Sequence, residues 1–338
     1  MRAGVWLDRG RLECADWPEP RLREDDVLVE VAYCGMCGSD SHIVEGNLPI
    51  GPPPQVLGHE VSGVVVEIGS RVRSVAVGQR VACNFFGGCG SCDTCRRGLP
   101  NLCRRKRFGA QGYAEHAAYR ADLAHPIPDD LRLRDAALLE PLATALYAVE
   151  QSGLRPGESA LVIGGGPVGL LTAAVAKRVG AANVVVSEPL AHKREMALQM
   201  GADEAWSLTV DELVPRSLDA TSGRGFDVAF DAAGVAALTE ALPLAVAPGG
   251  RVLITAVHAP ATRLAVSPFL LYERQITLTS AFANNDVFDR ALALLPSLGA
   301  DRLITAIEPL EDISTVYSRH RAGEYLKVLV QPGSPSQD

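Results

Sequence analysis

Four cysteines share one short segment of the sequence, which reads GGCGSCDTCRRGLPNLC and contains Cys89, Cys92, Cys95 and Cys103. Two residues separate Cys89 from Cys92 and Cys92 from Cys95, and seven separate Cys95 from Cys103. This spacing lets the chain fold back so that the thiolates converge on one tetrahedral metal ion. Four thiolates leave no open coordination position, so the segment predicts a structural zinc site. The alternatives are two disulfides or four unrelated buried thiols, and regular CxxC spacing in a chain without a secretory signal disfavours both.

A glycine turn supplies a second chemical signal. Gly164, Gly166 and Gly169 fit the pattern G-x-G-x-x-G, with Pro167 and Val168 between the last two glycines. The turn follows an apolar strand and begins a predicted helix, as in dinucleotide-binding units. We expect Gly164 to allow the tight turn, Gly166 to let the backbone approach a pyrophosphate, and Gly169 to let the helix pack on the strand. The free N–H groups of the helix would then bind the phosphates.

Glu188 is an acidic residue at the end of the second predicted strand, where such units have a ribose-binding carboxylate. A carboxylate there accepts hydrogen bonds from the adenosine ribose of NAD and repels the additional phosphate of NADP. Lys193 and Arg194 follow about one helical turn later, and we include Arg194 among the candidate cofactor contacts. The sequence therefore favours NAD over NADP. The alternative is that Glu188 is an ordinary surface residue at a strand end.

Two patterns of secondary structure position these sites. Over residues 1–130, Pro and Gly punctuate short strands such as 27–31 and 62–68, which predicts a partly open β-barrel. From about residue 155, apolar strands alternate with helices. The strands are 160–163, 184–186, 226–230 and 252–257, and the helices are 168–179, 191–200 and 236–246. Strands separated by helices imply parallel βαβ units, so we predict an α/β fold with a doubly wound parallel sheet.

Bulk properties limit the possible functions. The chain has 338 residues, enough for about two domains, and a formal net charge of −8, which argues against a nucleic-acid partner. It has no apolar run of about 18 residues, so we expect no membrane span. Its beginning lacks the apolar core of a signal peptide. With eight cysteines and no signal peptide, we expect reduced thiols and a cytoplasmic protein.

A third set of residues is scattered along the chain. CGMCGSDSH contains Cys37, Ser39, Asp40 and His42, GHE contains His59 and Glu60, and LLEPLATALYA contains Glu140. Together with the four-cysteine segment and the glycine turn, these motifs resemble those of the zinc-dependent medium-chain dehydrogenase/reductases, within the alcohol dehydrogenase superfamily. The match is to the polyol branch of sorbitol, butanediol and threonine dehydrogenases, and it covers nearly the whole chain.

The resemblance implies a GroES-like catalytic domain over residues 1–148 and 285–338 and a Rossmann cofactor domain over 149–284. It places cofactor contacts near Ala233, Val257 and Ala281, at positions that could equally be ordinary strand ends. It also implies a homodimer or a homotetramer.

The resemblance further implies a catalytic zinc ion held by Cys37 and His59. Glu60 and Glu140 would complete the site, one as a ligand and the other beside it or as an exchangeable ligand, and their order stays open. Alcohol dehydrogenases have a cysteine where this chain has Glu140, so the site is richer in oxygen. Because a hydroxyl both donates and accepts hydrogen bonds, Ser39 could take the alcohol proton and pass it towards His42 and solvent. Alternatively, His42 only hydrogen-bonds a cofactor ribose.

We therefore expect a zinc-dependent oxidoreductase that transfers a hydride between NAD and a secondary alcohol, giving the ketone. The substrate class would be a polyol, an aminocyclitol or an amino alcohol, and the motifs do not choose among them. One alternative is a reductase of activated double bonds, which the complete set of zinc ligands disfavours. The other is a zinc- and NAD-binding protein of structural or regulatory use, which the presence of Cys37, His59 and Ser39 disfavours.

Overall fold

The computed structural model describes residues 1–48, 50–109 and 111–333. The chain divides into two compact units, one formed by Met1–Glu140 and the chain from Phe288 onward, the other by Pro141–Val287. The predicted cofactor domain, 149–284, lies within the second unit. Residues 334–338 of the predicted catalytic domain lie outside the described residues. The domain boundaries proposed from the sequence stay a prediction.

The described residues form eighteen β-strands and eleven α-helices. The strands are β1 (Arg2–Asp8), β2 (Arg11–Asp16), β3 (Asp26–Gly35), β4 (Gln55–Val56), β5 (Glu60–Ile68), β6 (Arg80–Cys83), β7 (Phe86–Gly87), β8 (Arg107–Phe108), β9 (His116–Arg120), β10 (Ala124–Pro126), β11 (Ser159–Ile163), β12 (Asn183–Ser187), β13 (Glu204–Trp206), β14 (Phe226–Asp231), β15 (Val246–Ile254), β16 (Thr277–Ser280), β17 (Ile304–Pro309) and β18 (Lys327–Gln331). The helices are α1 (Gly38–Val44), α2 (Asp93–Arg96), α3 (Leu133–Ala136), α4 (Leu139–Ser152), α5 (Pro167–Arg178), α6 (Ala191–Gln199), α7 (Val210–Ala220), α8 (Ala236–Ala245), α9 (Pro268–Arg274), α10 (Phe288–Leu294) and α11 (Ile313–Arg321). Among these helices, none combines the length and apolar character that a bilayer span requires.

The largest sheet of the first unit has seven strands in the order β10-β6-β5-β3-β18-β17, with β9 also paired to β3. Val27, Val29 and Val31 of β3 are buried whereas Glu30 is exposed, which is the alternation expected of a strand with one face in the core. The strands predicted at 27–31 and 62–68 are therefore confirmed. Strand β18 comes from near the end of the chain and inserts between β3 and β17.

The second unit contains a six-stranded sheet in the order β13-β12-β11-β14-β15-β16, and every neighbouring pair is parallel. All five residues of the central strand β11 are buried, as expected when helices cover both faces of a parallel sheet. From β11 the chain order proceeds through β12 and β13 on one side of the sheet and through β14, β15 and β16 on the other. Ligands of open α/β sheets bind at the carboxyl ends of the strands where the order changes side in this way. The predicted doubly wound sheet is confirmed.

Candidate active site

Cys37, His59 and Glu60 form a group of potential metal ligands in the first unit. One ligand atom of each lies within 4.8 Å of those of the other two. The antiparallel pairing of β3 with β5 sets Gly35 opposite Glu60, and this register brings the two ligand-bearing segments together. Gly35 is required here, because a Cβ atom at this position would lie 1.9 Å from Oε2 of Glu60.

A buried carboxylate, that of Asp40, contacts two of these ligands. Its Oδ1 lies 3.3 Å from Nδ1 of His59, and its Oδ2 accepts a hydrogen bond of 3.0 Å from the main-chain N–H of Cys37. Burial acts to lower the pKa of His59, but the Asp40 carboxylate outweighs burial and raises this pKa well above its ordinary value. Because Nδ1 of His59 faces Asp40, Nε2 is the nitrogen available to a metal ion.

Lys327, the first residue of β18, completes the charge arrangement around Glu60. Its ammonium group donates to both carboxylate oxygens of Glu60, at 2.7 and 2.6 Å, and to the carbonyl oxygen of Met36 at 2.9 Å. Burial alone would lower the pKa of Lys327, but the negative charges of Glu60, Cys37 and Glu140 raise it above its ordinary value. Glu140 therefore belongs to the same electrostatic neighbourhood as Glu60.

The other predicted residues of this site, Ser39, His42 and Glu140, lie outside the group of three potential metal ligands. Ser39 lies in the first turn of α1, with its Oγ 3.5 Å from Nε2 of His59. His42 lies in the last turn of the same helix and is partly exposed. Glu140 is buried near the start of α4 but is not among the three residues whose ligand atoms meet. The roles assigned to Ser39, His42 and Glu140 stay predictions.

The donor set fits a zinc ion. A thiolate, an imidazole and a carboxylate are ligand types found in catalytic zinc sites, where three protein ligands leave the fourth position open. Cys37, His59 and Glu60 supply one of each.

The four-cysteine segment forms a second, separate group in the first unit. The sulfur atoms of Cys89, Cys92, Cys95 and Cys103 all lie within 4.8 Å of one another, and all eight cysteines of the chain carry free thiols, which disfavours the disulfide alternative. Hydrogen bonds from the main chain and hydroxyl of Ser91 lower the pKa of Cys89 to about 5. The guanidinium of Arg105 donates to the same sulfur at 3.3 Å. Four thiols in this arrangement fit a closed structural zinc site.

The glycine turn has the geometry of a phosphate cradle. Gly164 has a φ of +103°, a conformation that favours glycine. A Cβ atom at Gly169 would lie 2.0 Å from the carbonyl oxygen of Gly164, so the helix can approach the strand only with glycine there. At Gly166, in contrast, a Cβ atom would meet nothing within 4 Å. Helix α5 begins directly afterwards with Pro167 and Val168, so the space beside Gly166 and the free N–H groups of the helix fit a pyrophosphate.

Glu188 is tied to this turn. Its carboxylate accepts hydrogen bonds from the main-chain N–H groups of Gly165, at 2.7 Å, and Leu190, at 3.0 Å. With 6% of its surface exposed, Glu188 is not an ordinary surface residue. The guanidinium of Arg194 donates to the main-chain carbonyl oxygens of Glu188 and Pro189, at 2.9 and 2.7 Å, so it lies beside the main chain that carries this carboxylate.

Three further predicted cofactor contacts follow neighbouring strands of the same parallel sheet. Ala233 comes after β14, Val257 after β15 and Ala281 after β16. They share the carboxyl edge of the sheet, where ligands of this fold bind, but no contact with a ligand is shown. Their roles stay predictions.

Two residues that contact the candidate metal ligands had no predicted role, namely Asp40 and Lys327. Asp40 lies in the segment CGMCGSDSH, but Lys327 lies in none of the motifs. A lysine inside the apolar run Leu326–Val330 is a signal for a buried ionic partner, because an unpaired buried ammonium is costly. For Asp40, the signal is its position three residues after Cys37, at the start of a short helix.

Family comparisons agree with this arrangement. Residues 23–129 match the model of the alcohol dehydrogenase GroES-like domain, and residues 167–297 match that of the zinc-binding dehydrogenases. The chain is 34% identical over 317 residues to 2-dehydro-3-deoxy-L-galactonate 5-dehydrogenase of Pseudoalteromonas atlantica, covering 90% of this chain and 91% of that protein. It is 33% identical to D-arabinitol dehydrogenase 1 of Uromyces fabae, covering 93% and 92%. A zinc-binding dehydrogenase of Sinorhizobium meliloti, solved bound to NADP, superposes with a TM-score of 0.88 at 32% identity, covering 98% and 99%.

The chain belongs to the zinc-binding alcohol dehydrogenase family with a GroES-like domain. The predicted family and two-domain α/β fold are confirmed, as is the class of oxidoreductase acting on CH–OH groups. The relatives give no support to a double-bond reductase or a non-catalytic protein.

Proposed function

We propose that this protein oxidises a secondary alcohol within a polyol or a related sugar derivative to the ketone, with zinc and NAD. The observation that carries the proposal is the meeting of Cys37, His59 and Glu60 beside the Ser39 hydroxyl. The polyol class is supported by the D-arabinitol dehydrogenase relative, and aminocyclitols or amino alcohols remain within the same reaction class.

Cys37 and His59 would hold the catalytic zinc with one carboxylate, and the four cysteines would hold a second, structural zinc. A zinc ion in the open site would supply a Lewis acid that stabilises negative charge developing on the substrate oxygen. Glu60 has both oxygens bonded to Lys327, so a metal ion must compete with the ammonium for this carboxylate. This competition supports Glu60 as the exchangeable ligand, with Glu140 as the second candidate.

Ser39 and His42 would move the alcohol proton. They lie three positions apart on α1, so they are neighbours on the helix surface. The Ser39 hydroxyl lies beside the ligand nitrogen of His59, and the partly exposed His42 has access to solvent. A proton accepted at Oγ of Ser39 can therefore be passed to the His42 ring and released to water.

NAD is the proposed hydride acceptor, held by the glycine turn and Glu188. Two main-chain donors fix the Glu188 carboxylate beside the turn, where it favours ribose hydroxyls and opposes a phosphate. Arg194 donates to the main-chain carbonyl oxygen of Glu188 and is the group that could attract a phosphate instead. Because one solved relative binds NADP, both cofactors belong in the test.

We also propose a homo-oligomer and a cytoplasmic location. Strand β16 forms one edge of the six-stranded sheet, and the aromatic side chains of Phe269, Tyr272 and Phe282 in the same unit are exposed. An exposed sheet edge and exposed aromatic side chains are features of surfaces that associate. The cytoplasmic location rests on the eight reduced cysteines.

The test combines metal analysis with turnover. The purified protein should contain two zinc ions per chain and reduce NAD with at least one member of a panel of sorbitol, arabinitol, xylitol, butanediol and aminocyclitols. NADP is assayed in parallel. Cys37→Ser is the control, because it should lose one zinc ion and all turnover. Turnover no higher than that of this control across the whole panel would contradict the proposed function.

A further inference from the structure

The buried hydroxyl of Tyr113 contacts the network that holds the candidate metal ligands. It donates to Oδ2 of Asp40 at 2.6 Å and lies 3.4 Å from the carbonyl oxygen of Gly35. Tyr113 is completely buried. A hydrogen bond from a buried phenol to a carboxylate is charge-assisted and therefore among the stronger ones in proteins. The side chain thus reaches the segment that carries Cys37.

The main chain of Tyr113 is fixed to the other ligand-bearing segment. Its N–H donates to the carbonyl oxygen of Leu57 at 2.9 Å, and its own carbonyl accepts from Gly4 of β1 at 2.6 Å. Gly58 packs so closely that a Cβ atom there would lie 2.8 Å from Cδ1 of Tyr113. Of these partners, Leu57 and Gly58 directly precede His59 in the sequence. One residue therefore links the two segments that supply Cys37 and His59.

The hydrogen bonds of Asp40 show what this link does. Oδ2 of Asp40 accepts one hydrogen bond from the Cys37 N–H and another from the Tyr113 hydroxyl. Two donors from different directions fix the plane of the carboxylate, which leaves Oδ1 to face Nδ1 of His59. Partners that hold the far nitrogen of a metal-binding histidine set the orientation of its ring and its basicity.

We propose that Tyr113 is a positioning residue of the catalytic metal centre, which acts through Asp40 on the orientation of His59. The inference rests on the proposed metal site at Cys37 and His59. It predicts that loss of one completely buried hydroxyl group weakens metal binding at that site and leaves the four-cysteine site unchanged.

The chain offers a matched control. Tyr119 is also a fully buried tyrosine, and within the described residues its hydroxyl has no hydrogen-bond partner. Tyr113→Phe and Tyr119→Phe therefore remove the same atom from equally buried sites. Zinc affinity is measured by competition with a chromogenic chelator, and the visible spectrum of Co²⁺ loaded into the catalytic site reports the ligand geometry. Tyr113→Phe should bind zinc about tenfold more weakly at one site and alter the Co²⁺ spectrum. Tyr119→Phe should match the unmodified protein in both.

Equal zinc affinities and spectra for the two variants would overturn the proposal. So would a parallel loss of both zinc ions from Tyr113→Phe, since this would indicate a general loss of folding. Cys37→Ser is measured alongside. If it retains two zinc ions, the metal site itself is wrongly assigned. If it loses one while Tyr113→Phe behaves like Tyr119→Phe, only the role of Tyr113 fails.

Discussion

Glu60 and Lys327 form a buried ion pair in which one ammonium group donates to both oxygens of a single carboxylate, and each side chain is only 1% exposed. Removing one partner of such a pair leaves an uncompensated charge in the protein interior. Lys327→Met should therefore lower the free energy of unfolding by about 3–5 kcal/mol. The double variant Lys327→Met with Glu60→Gln should recover much of this loss, and urea denaturation of all three proteins measures it.

Lys177→Met is the control for this prediction. Lys177 pairs with Asp203 at 2.7 Å, but both side chains are more than one third exposed, so the loss should be about 0–1 kcal/mol. A loss in Lys327→Met no larger than in Lys177→Met would show that the buried pair contributes little.

The two groups of metal ligands should be separable by mutation. Cys37→Ala should lose one zinc ion and turnover while the thermal midpoint changes little, because an open catalytic site contributes less to folding than a closed one. Cys92→Ala should lose the other zinc ion and lower the midpoint clearly, since structural zinc stabilises the fold directly. Cys14→Ala serves as the control, because Cys14 lies outside both groups. Zinc analysis and thermal unfolding distinguish the three, and equal loss of activity without unfolding in the first two would contradict this division.

Two glycines of the same turn should respond in opposite ways to alanine. Gly166 has a φ of −72° and free space around its missing side chain, so Gly166→Ala should keep its stability and lose affinity for NADH by about tenfold or more. Gly169→Ala would place its Cβ atom 2.0 Å from the Gly164 carbonyl oxygen, and overpacking of this kind costs about 1–3 kcal/mol. Thermal unfolding and NADH fluorescence titration separate the two effects. Unchanged NADH affinity in Gly166→Ala would mean that no phosphate approaches there.

The choice between NAD and NADP should depend on Glu188. Glu188→Ala removes the negative charge beside the ribose position while Arg194 remains, so the ratio of kcat/KM for NADP to that for NAD should rise about tenfold or more. Glu195→Ala removes an exposed carboxylate on α6 and should leave the ratio unchanged. Similar ratios in both variants would show that Glu188 does not discriminate between the cofactors.

Much of the fold and part of the candidate site could be predicted from the spacing of residues that are close in the sequence. The cysteine segment and the glycine turn are short-range patterns. Gly164 has a φ of +103°, and a Cβ atom at Gly169 would lie 2.0 Å from the Gly164 carbonyl oxygen, which is the geometry of a tight turn against a closely packed helix. Burial of β11 likewise agrees with its mainly apolar sequence, SALVI.

The hydrogen bonds and the ion pair around the metal ligands could not be predicted from local spacing, because they depend on how distant segments of the chain are placed against each other. Tyr113 meets Asp40 across 73 positions, and Lys327 meets Glu60 across 267. Nothing in either local sequence specifies the partner. The pairing of β18 with β3, and of β3 with β5, brings Lys327 to Glu60. Tyr113 is held instead by main-chain hydrogen bonds to Leu57 and Gly4.

The position of β18 has a consequence for synthesis on the ribosome. Cys37, His59 and Glu60 are translated before Lys327, which supplies the counter-charge of Glu60 and follows it by 267 residues. At about 5–20 residues per second, this interval is roughly 10–50 s. During that time Glu60 has no Lys327 to pair with, while every strand of the six-stranded sheet is translated before Lys327. The ligands are thus made first, and the ion pair beside them can form only once β18 has been translated.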